Sequence, residues 1–170
     1  MTQPAPQTNA SAFLRGVIMP VLQAMGMGGV AAEKMLLMTA AHESMGFRYR
    51  KQLGGPALSY FQIEPATLDD LYSNYLAFRP HRQAMVDAFL PSDMTHLEAL
   101  EHDDRYACAV ARMIFARVAE ALPDAADEPA LATYAKRYWN TPAGKATAAK
   151  YLADFRIHGP VPTPAHWVKP

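Results

Sequence analysis

The sequence predicts an all-α fold, and three observations carry that expectation. Hydrophobic residues make up 51% of the 170, and about thirty of them are alanine, the residue with the highest helix propensity. Residues such as Tyr106, Val110, Met113, Ile114, Arg117 and Val118 fall on helical spacing. Only 9 glycines are present, while 14 prolines cut the chain into pieces of helix length, and no segment reads convincingly as a strand. At about 150 residues per domain the length corresponds to one domain, here with seven or eight helices. Residues 1–10 read as a flexible leader, 11–158 as the folded domain and 159–170 as a proline-rich tail.

The first helix is expected from Ser11, a fair N-cap, to Met25, where Gly26, Gly28 and Gly29 end it. The second runs from Val30 to Ser44. Its stretch Met35 to Ala41 has no charge on any face, which places it in the middle of the domain. Residues 45–60, with Gly46, Gly54, Gly55 and Pro56, read as loop. A third helix begins near Pro65 or Thr67, with Asp69 and Asp70 in its first turn, and ends before Pro80. One helix follows between Pro80 and Pro91, and a shorter one from Ser92 with Asp93 and Thr95 as capping residues. A long helix is expected over Asp103–Leu122, and the last two over Asp127–Trp139 and Pro142–Ile157. In the tail, Pro160, Pro162, Pro164 and Pro170 surround Trp167, which either packs back on the domain or docks on a partner.

Charge and composition exclude several classes of function. Lys plus Arg is 16 and Asp plus Glu is 16, so no long-range field is available to hold a phosphate backbone, and no nucleic-acid partner is expected. The hydrophobic content is too high for a disordered chain. The single cysteine, Cys108, forbids an internal disulfide and reads as a buried small hydrophobe. Gly16 to Ala32 is uncharged, but Pro20, Gln23 and four glycines make it a core helix and turn rather than a membrane span or a signal core. Gly26-Met27-Gly28-Gly29 follows no strand and precedes no Gly-Lys-Ser/Thr, so it is a turn and not a phosphate cradle. His42-Glu43 has Gly46 where a zinc-protease motif needs its second histidine. The six histidines show no ligand spacing, so no metal and no other cofactor is expected.

The informative residue is Glu43. At the C-terminal end of an apolar helix, both the helix dipole and the loss of water disfavour a carboxylate and raise its pKa. A carboxyl kept protonated near neutral pH is what general-acid cleavage of a glycoside requires. About nineteen residues later comes Ser59-Tyr60-Phe61-Gln62-Ile63-Glu64-Pro65-Ala66-Thr67, and near the C-terminus Tyr138-Trp139-Asn140-Thr141 followed by Pro142-Ala143-Gly144-Lys145.

With these elements in this order, the chain resembles the lysozyme-like superfamily, specifically the goose-type lysozyme and lytic transglycosylase group that acts on peptidoglycan. Glu43-Ser44 matches the Glu-Ser pair that ends a buried helix in that group. Ser59-Tyr60-Phe61-Gln62 stands in place of its Gly-Leu-Met-Gln-type motif, and Tyr138 to Thr141 in place of an Ala-Tyr-Asn-type sequence. Gly55-Pro56-Ala57 through Glu64, with Tyr138 through Gly144, is closest to a branch of small phage-encoded enzymes. The likeness spans roughly residues 35–150. Ser59 for glycine, the bulk of Tyr60-Phe61 and the inserted Trp139 are departures from the pattern. They leave open the shape of the sugar subsites and whether Tyr138 or Trp139 faces the acid.

The resemblance implies a lysozyme-like domain that breaks the bond between N-acetylmuramic acid and N-acetylglucosamine, with Glu43 as the catalytic acid and base and peptidoglycan strands as its partner. The product is either a 1,6-anhydro sugar or a reducing end. Ser44, Ser59, Tyr60, Gln62, Glu64, Tyr138 and Asn140 are the candidate substrate-binding residues. Gln62 either bonds an acetamido group or Glu43, or caps its loop. Glu64 is either a second carboxylate that positions water or a complement to the next helix N-terminus. Of Tyr60 and Phe61, one is expected to stack on sugar and one to be core. Arg48-Tyr49-Arg50-Lys51 either holds stem-peptide carboxylates or is a solvated loop. The implied setting is a phage virion, attached to other virion proteins, or release from the infected cell onto the periplasmic wall. Charge neutrality favours delivery by a larger assembly. Two readings of other classes compete: a non-catalytic virion protein that keeps the fold, and a helical interaction module that docks through Trp167.

Overall fold

In the computed structural model, which describes residues 9–140 and 144–168, the chain enters through α1 (Asn9–Phe13) and passes one π-turn (Leu14–Ile18) into α2 (Met19–Met25). Pro20, in the first turn of α2, has no N–H to return to the preceding turn, which accounts for the change of helical register there. Gly26, at φ 63°, closes α2 in the left-handed conformation that glycine adopts without strain. The remaining helices are α3 (Val30–Glu43), α4 (Pro65–Asn74), α5 (Pro80–Asp87), α6 (His96–His102), α7 (Asp104–Ala116), α8 (Glu128–Trp139) and α9 (Ala148–His158). With Asn9–Met25 taken as one rod, the described residues form eight helices in one domain. No strand occurs among them, and isolated bridges join Leu58 to Lys51 and to Ile63.

The position of α3 follows from its sequence. A helix with no polar face is stable only when surrounded, and every residue from Met35 to Ala41 is buried, under contacts from α7, α8 and α9. Two charges near its start, Glu33 and Lys34, are buried but partnered. Lys34 Nζ donates to Glu128 at 3.1 Å and to the Ala125 carbonyl at 3.0 Å. The indole N–H of Trp167 donates to Glu33 Oε2 at 2.6 Å, and His166 Nε2 lies 2.6 Å from the same oxygen. Trp167 therefore packs back on its own domain, in a 3-10 turn (Ala165–Trp167) against Phe155. Cys108 is fully buried in α7, and burial pushes its thiol well above the ordinary range.

Several element bounds differ from expectation. Asn9 and Ala10 belong to α1, and Ala10 is buried against the core, so these two residues are not part of the leader expected over 1–10; residues 1–8 lie outside the described residues. The third helix, in contrast, begins at Pro65 and ends before Pro80 as expected, at Asn74, and is followed by a 3-10 turn (Leu76–Phe78). Thr95 alone caps α6, through a reciprocal capping box with Glu98, so that helix starts at His96 rather than Ser92. The long helix stops at Ala116 instead of Leu122, because the following segment folds over α8: the Tyr134 hydroxyl donates to the Glu120 carbonyl at 2.9 Å. The last helix begins at Ala148, where the Thr147 side chain accepts from the Lys150 N–H; Pro142 lies outside the described residues.

Candidate active site

Glu43 is the last residue of α3, and the backbone beyond it is held in an uncommon conformation. Ser44 is buried and acts locally: its hydroxyl donates to the Ala40 carbonyl at 2.6 Å and accepts from the Phe47 N–H at 2.7 Å. Met45, Gly46 and Phe47 then have φ of 54°, 74° and 63°, three successive left-handed residues of which only one is glycine. Gly46 is required for a second reason. A Cβ there would lie 2.6 Å from the His158 ring, which covers it. Gly46→Ala is expected to lose at least about 1–2 kcal/mol from the backbone alone, with displacement of His158 added to that, as read by denaturant unfolding.

The second half of the site is the loop from Leu58 to Ile63. These two residues exchange backbone hydrogen bonds of 2.9 and 2.8 Å, which closes a tight turn. Ser59 and Gln62 take φ of 66° and 51° inside it, and the Ser59 hydroxyl accepts from the Phe61 N–H at 3.2 Å. The turn sorts its side chains by direction. Phe61 is fully buried between Phe13 and Trp139. Gln62 reaches the groove while its Nε2 donates to the Ser59 carbonyl at 2.8 Å. Tyr60 points the other way, between Phe13 and Phe47, with the Arg50 guanidinium 4.4 Å from its ring centroid. Ser44 and Ser59 are thus buried hydrogen-bonding residues of the turns, and Tyr60 lies outside the groove that contains Glu43; none of the three is placed to touch a ligand there. Arg50 is tied to Asp104 and Lys51 to Glu101, so these two cations are engaged on the surface.

The Glu43 carboxyl lies in a groove with two contiguous halves. One, about 370 Å³, is lined by Met45, Tyr49, Gln52 and Leu53; the other, about 400 Å³, by Thr67, Arg117, Tyr138, Trp139 and Asn140. Glu43, Gln62 and Glu64 line both. Each half has the volume usual for a small-ligand site, and the acid stands where they meet. Glu64 occupies the N-cap position of α4 without any side-chain capping bond, which leaves its carboxylate to the groove.

A tyrosine does face the acid, and it is neither Tyr138 nor its neighbour Trp139. The Tyr151 hydroxyl, on α9, donates to Glu43 Oε1 at 2.6 Å. Tyr138 lines the groove but gives its own hydroxyl to the Glu120 carboxylate. Asn140 lines the groove, and its side chain beside the Tyr151 phenol favours the ionised form of that phenol. Burial is the dominant influence on Glu43 and pushes its pKa above the ordinary carboxylate range; the Tyr151 hydrogen bond and the charge of His42 pull it back only in part. Burial and the adjacent carboxyl raise the Tyr151 phenol as well, so it stays a donor at any working pH.

Sequence reasoning passed over Tyr151 and Arg117. Tyr151 stands among ordinary helix residues, 108 positions from its partner. Arg117 follows the end of α7, pairs with Asp70 at 2.6 Å and still borders the groove. Among the described residues no cluster of three or more His, Cys, Asp or Glu could hold a metal ion, and no helix is long and apolar enough to cross a membrane. No family model, curated protein or solved structure matches this chain.

Proposed function

We propose that this protein cleaves peptidoglycan between N-acetylmuramic acid and N-acetylglucosamine as a lytic transglycosylase of lysozyme-like type, with Glu43 as its only general acid and base. The observation that carries this reading is the Glu43 carboxyl itself, its pKa raised by burial, hydrogen-bonded by one phenol and set midway along an open groove. Left-handed residues concentrated in the two loops beside it, Met45 to Phe47 and Ser59 to Gln62, support the same reading, since such backbone strain persists where it serves a site.

In this scheme Glu43 gives its proton to the glycosidic oxygen as the C1–O bond breaks. The N-acetyl oxygen of the muramic residue stabilises the developing cation, which dispenses with a carboxylate nucleophile. The Glu43 carboxylate, held by Tyr151, then takes the proton of the muramic 6-hydroxyl as that oxygen closes on C1, giving the 1,6-anhydro product. Hydrolysis is the second reading, favoured by one observation: Glu64 shares both halves of the groove with Glu43, where a second carboxylate can hold water. The chain then acts as a muramidase. The proposed setting is a phage particle or lysis of the infected cell, with the wall as the only macromolecular ligand of the groove.

Digestion of purified peptidoglycan followed by mass analysis of the soluble fragments tests the reading. Anhydro ends support transglycosylation, reducing ends support hydrolysis, and no fragments overturn both. Tyr151→Phe supplies a finer check. It removes a hydrogen bond that lowers the Glu43 pKa, so the basic limb of the pH–rate profile is expected to move to higher pH while the rate falls about tenfold or more.

A further inference from the structure

Two parallel side-chain contacts join α3 to α9, and only one of them ends in the groove. Glu43 meets Tyr151; its chain neighbour His42 meets Asp154, with imidazole Nδ1 2.7 Å from Oδ2. Tyr151 and Asp154, three residues apart, share one face of α9. The two contacts also touch each other. The His42 and Tyr151 rings stack with centroids 3.8 Å apart and planes 23° apart. Asp154 is nearly buried and is held from its own helix by Lys150, so the imidazole is pinned to a fixed point.

We propose that His42 is a positioning residue for Glu43: anchored by Asp154 and stacked on Tyr151, it holds the phenol on the acid. The inference rests on Glu43 being the general acid. A hydrogen bond of 2.6 Å leaves little freedom to the ring that makes it, and the stacked imidazole covers one face of that ring. His42 lines neither half of the groove. It borders a neighbouring hollow with Arg48, Lys150, Asp154 and His158, and these, with Glu43 and the Tyr151 phenol, are the titratable and charged groups that face it from α3, α9 and the intervening loop. A residue so placed does not line the groove, so it acts on the reaction by holding Tyr151 and by its charge beside Glu43. The imidazole and the phenol both favour the Glu43 carboxylate, and their loss acts in the same direction.

The test compares His42→Ala and His42→Phe in the full chain, on peptidoglycan cleavage and on the Glu43 carboxyl followed by 13C NMR titration. His42→Ala is expected to lower kcat by about 10–100-fold with KM within about twofold, because a small misplacement near the reacting atoms has that cost. Its basic limb and its NMR midpoint are expected to move to higher pH. His42→Phe rebuilds the stack without the charge, so it is expected to recover kcat to within about threefold, with a midpoint between parent and His42→Ala. Parental kcat and midpoint in folded His42→Ala overturn the proposal, as does a His42→Phe variant no better than His42→Ala. Should His42→Ala not fold, Asp154→Ala frees the imidazole instead; the same loss of kcat supports the proposal and parental behaviour overturns it. The NMR midpoint is independent of activity. A parent that releases no fragments overturns the proposed function, while the midpoints of the variants still decide the role of His42.

Discussion

Glu43→Gln is expected to abolish cleavage, with residual release of soluble muropeptides about a thousandfold below the parent or less, the upper part of the range for loss of a general acid. The amide is nearly isosteric and still offers an oxygen to the Tyr151 hydroxyl, so the groove is preserved while the transferable proton is gone. The variant separates an enzyme from a non-catalytic virion protein of the same fold, because undiminished wall clearing by Glu43→Gln is incompatible with the mechanism. Stability supplies a second and independent readout. In acid, below the ordinary carboxylate pKa, Glu43 is protonated whether the chain is folded or not, and parent and variant are expected to unfold together. As the pH rises through the raised folded value, the parent must ionise a buried group and loses stability that the variant retains. Glu43→Gln is therefore expected to be the more stable protein at neutral and alkaline pH, and equal to the parent near pH 3. A variant less stable at neutral pH would show that ionised Glu43 holds the fold together rather than straining it.

The sequence made Glu43 legible for a physical reason: seven successive uncharged residues before it require burial on every face, and burial is what raises the pKa. Gln62, Glu64 and Asn140 were legible through a motif, and the structure brings all three to the groove with Glu43. The same motif misdirected the assignment of the tyrosine. Tyr138 and Tyr151 are both helix tyrosines, and nothing local says which face of α8 or α9 turns toward α3. That choice is made by packing: Glu120 captures the Tyr138 hydroxyl when the chain beyond α7 folds over α8, and His42 stacks under Tyr151. The loop directions were equally hidden. No rule of composition places left-handed φ at Met45, Phe47, Ser59 and Gln62, and it is these angles that turn Tyr60 outward and Gln62 inward. Helix existence, in contrast, followed from alanine content and proline spacing, while helix ends depended on caps such as Thr95, Asp103, Asp127 and Thr147.

The loop that carries Gln62 and Glu64 has Phe61 as its largest anchor, beside the buried Leu58 and Ile63, and removal of Phe61 is expected to give the largest loss of stability of any substitution proposed for this protein. Phe61 is fully buried, with its ring centroid 5.9 Å from that of Phe13 and 6.2 Å from that of Trp139, so it bridges the first helical rod to the end of α8. Phe61→Ala removes that bridge and leaves a void between elements that are themselves pinned, α3 being enclosed on every side. Little collapse can fill it, which places the expected cost at about 3–5 kcal/mol. For a domain of this size that corresponds to melting roughly 6–20 °C lower. Phe61→Leu keeps most of the volume and is expected to lose less than half as much. Activity is expected to fall with Phe61→Ala even at temperatures where the variant stays folded, because a slackened turn no longer fixes Gln62 and Glu64 beside Glu43. A cost below about 1 kcal/mol, measured by denaturant titration with an unchanged slope, would mean that the turn is held by its backbone bonds between Leu58 and Ile63 and not by Phe61.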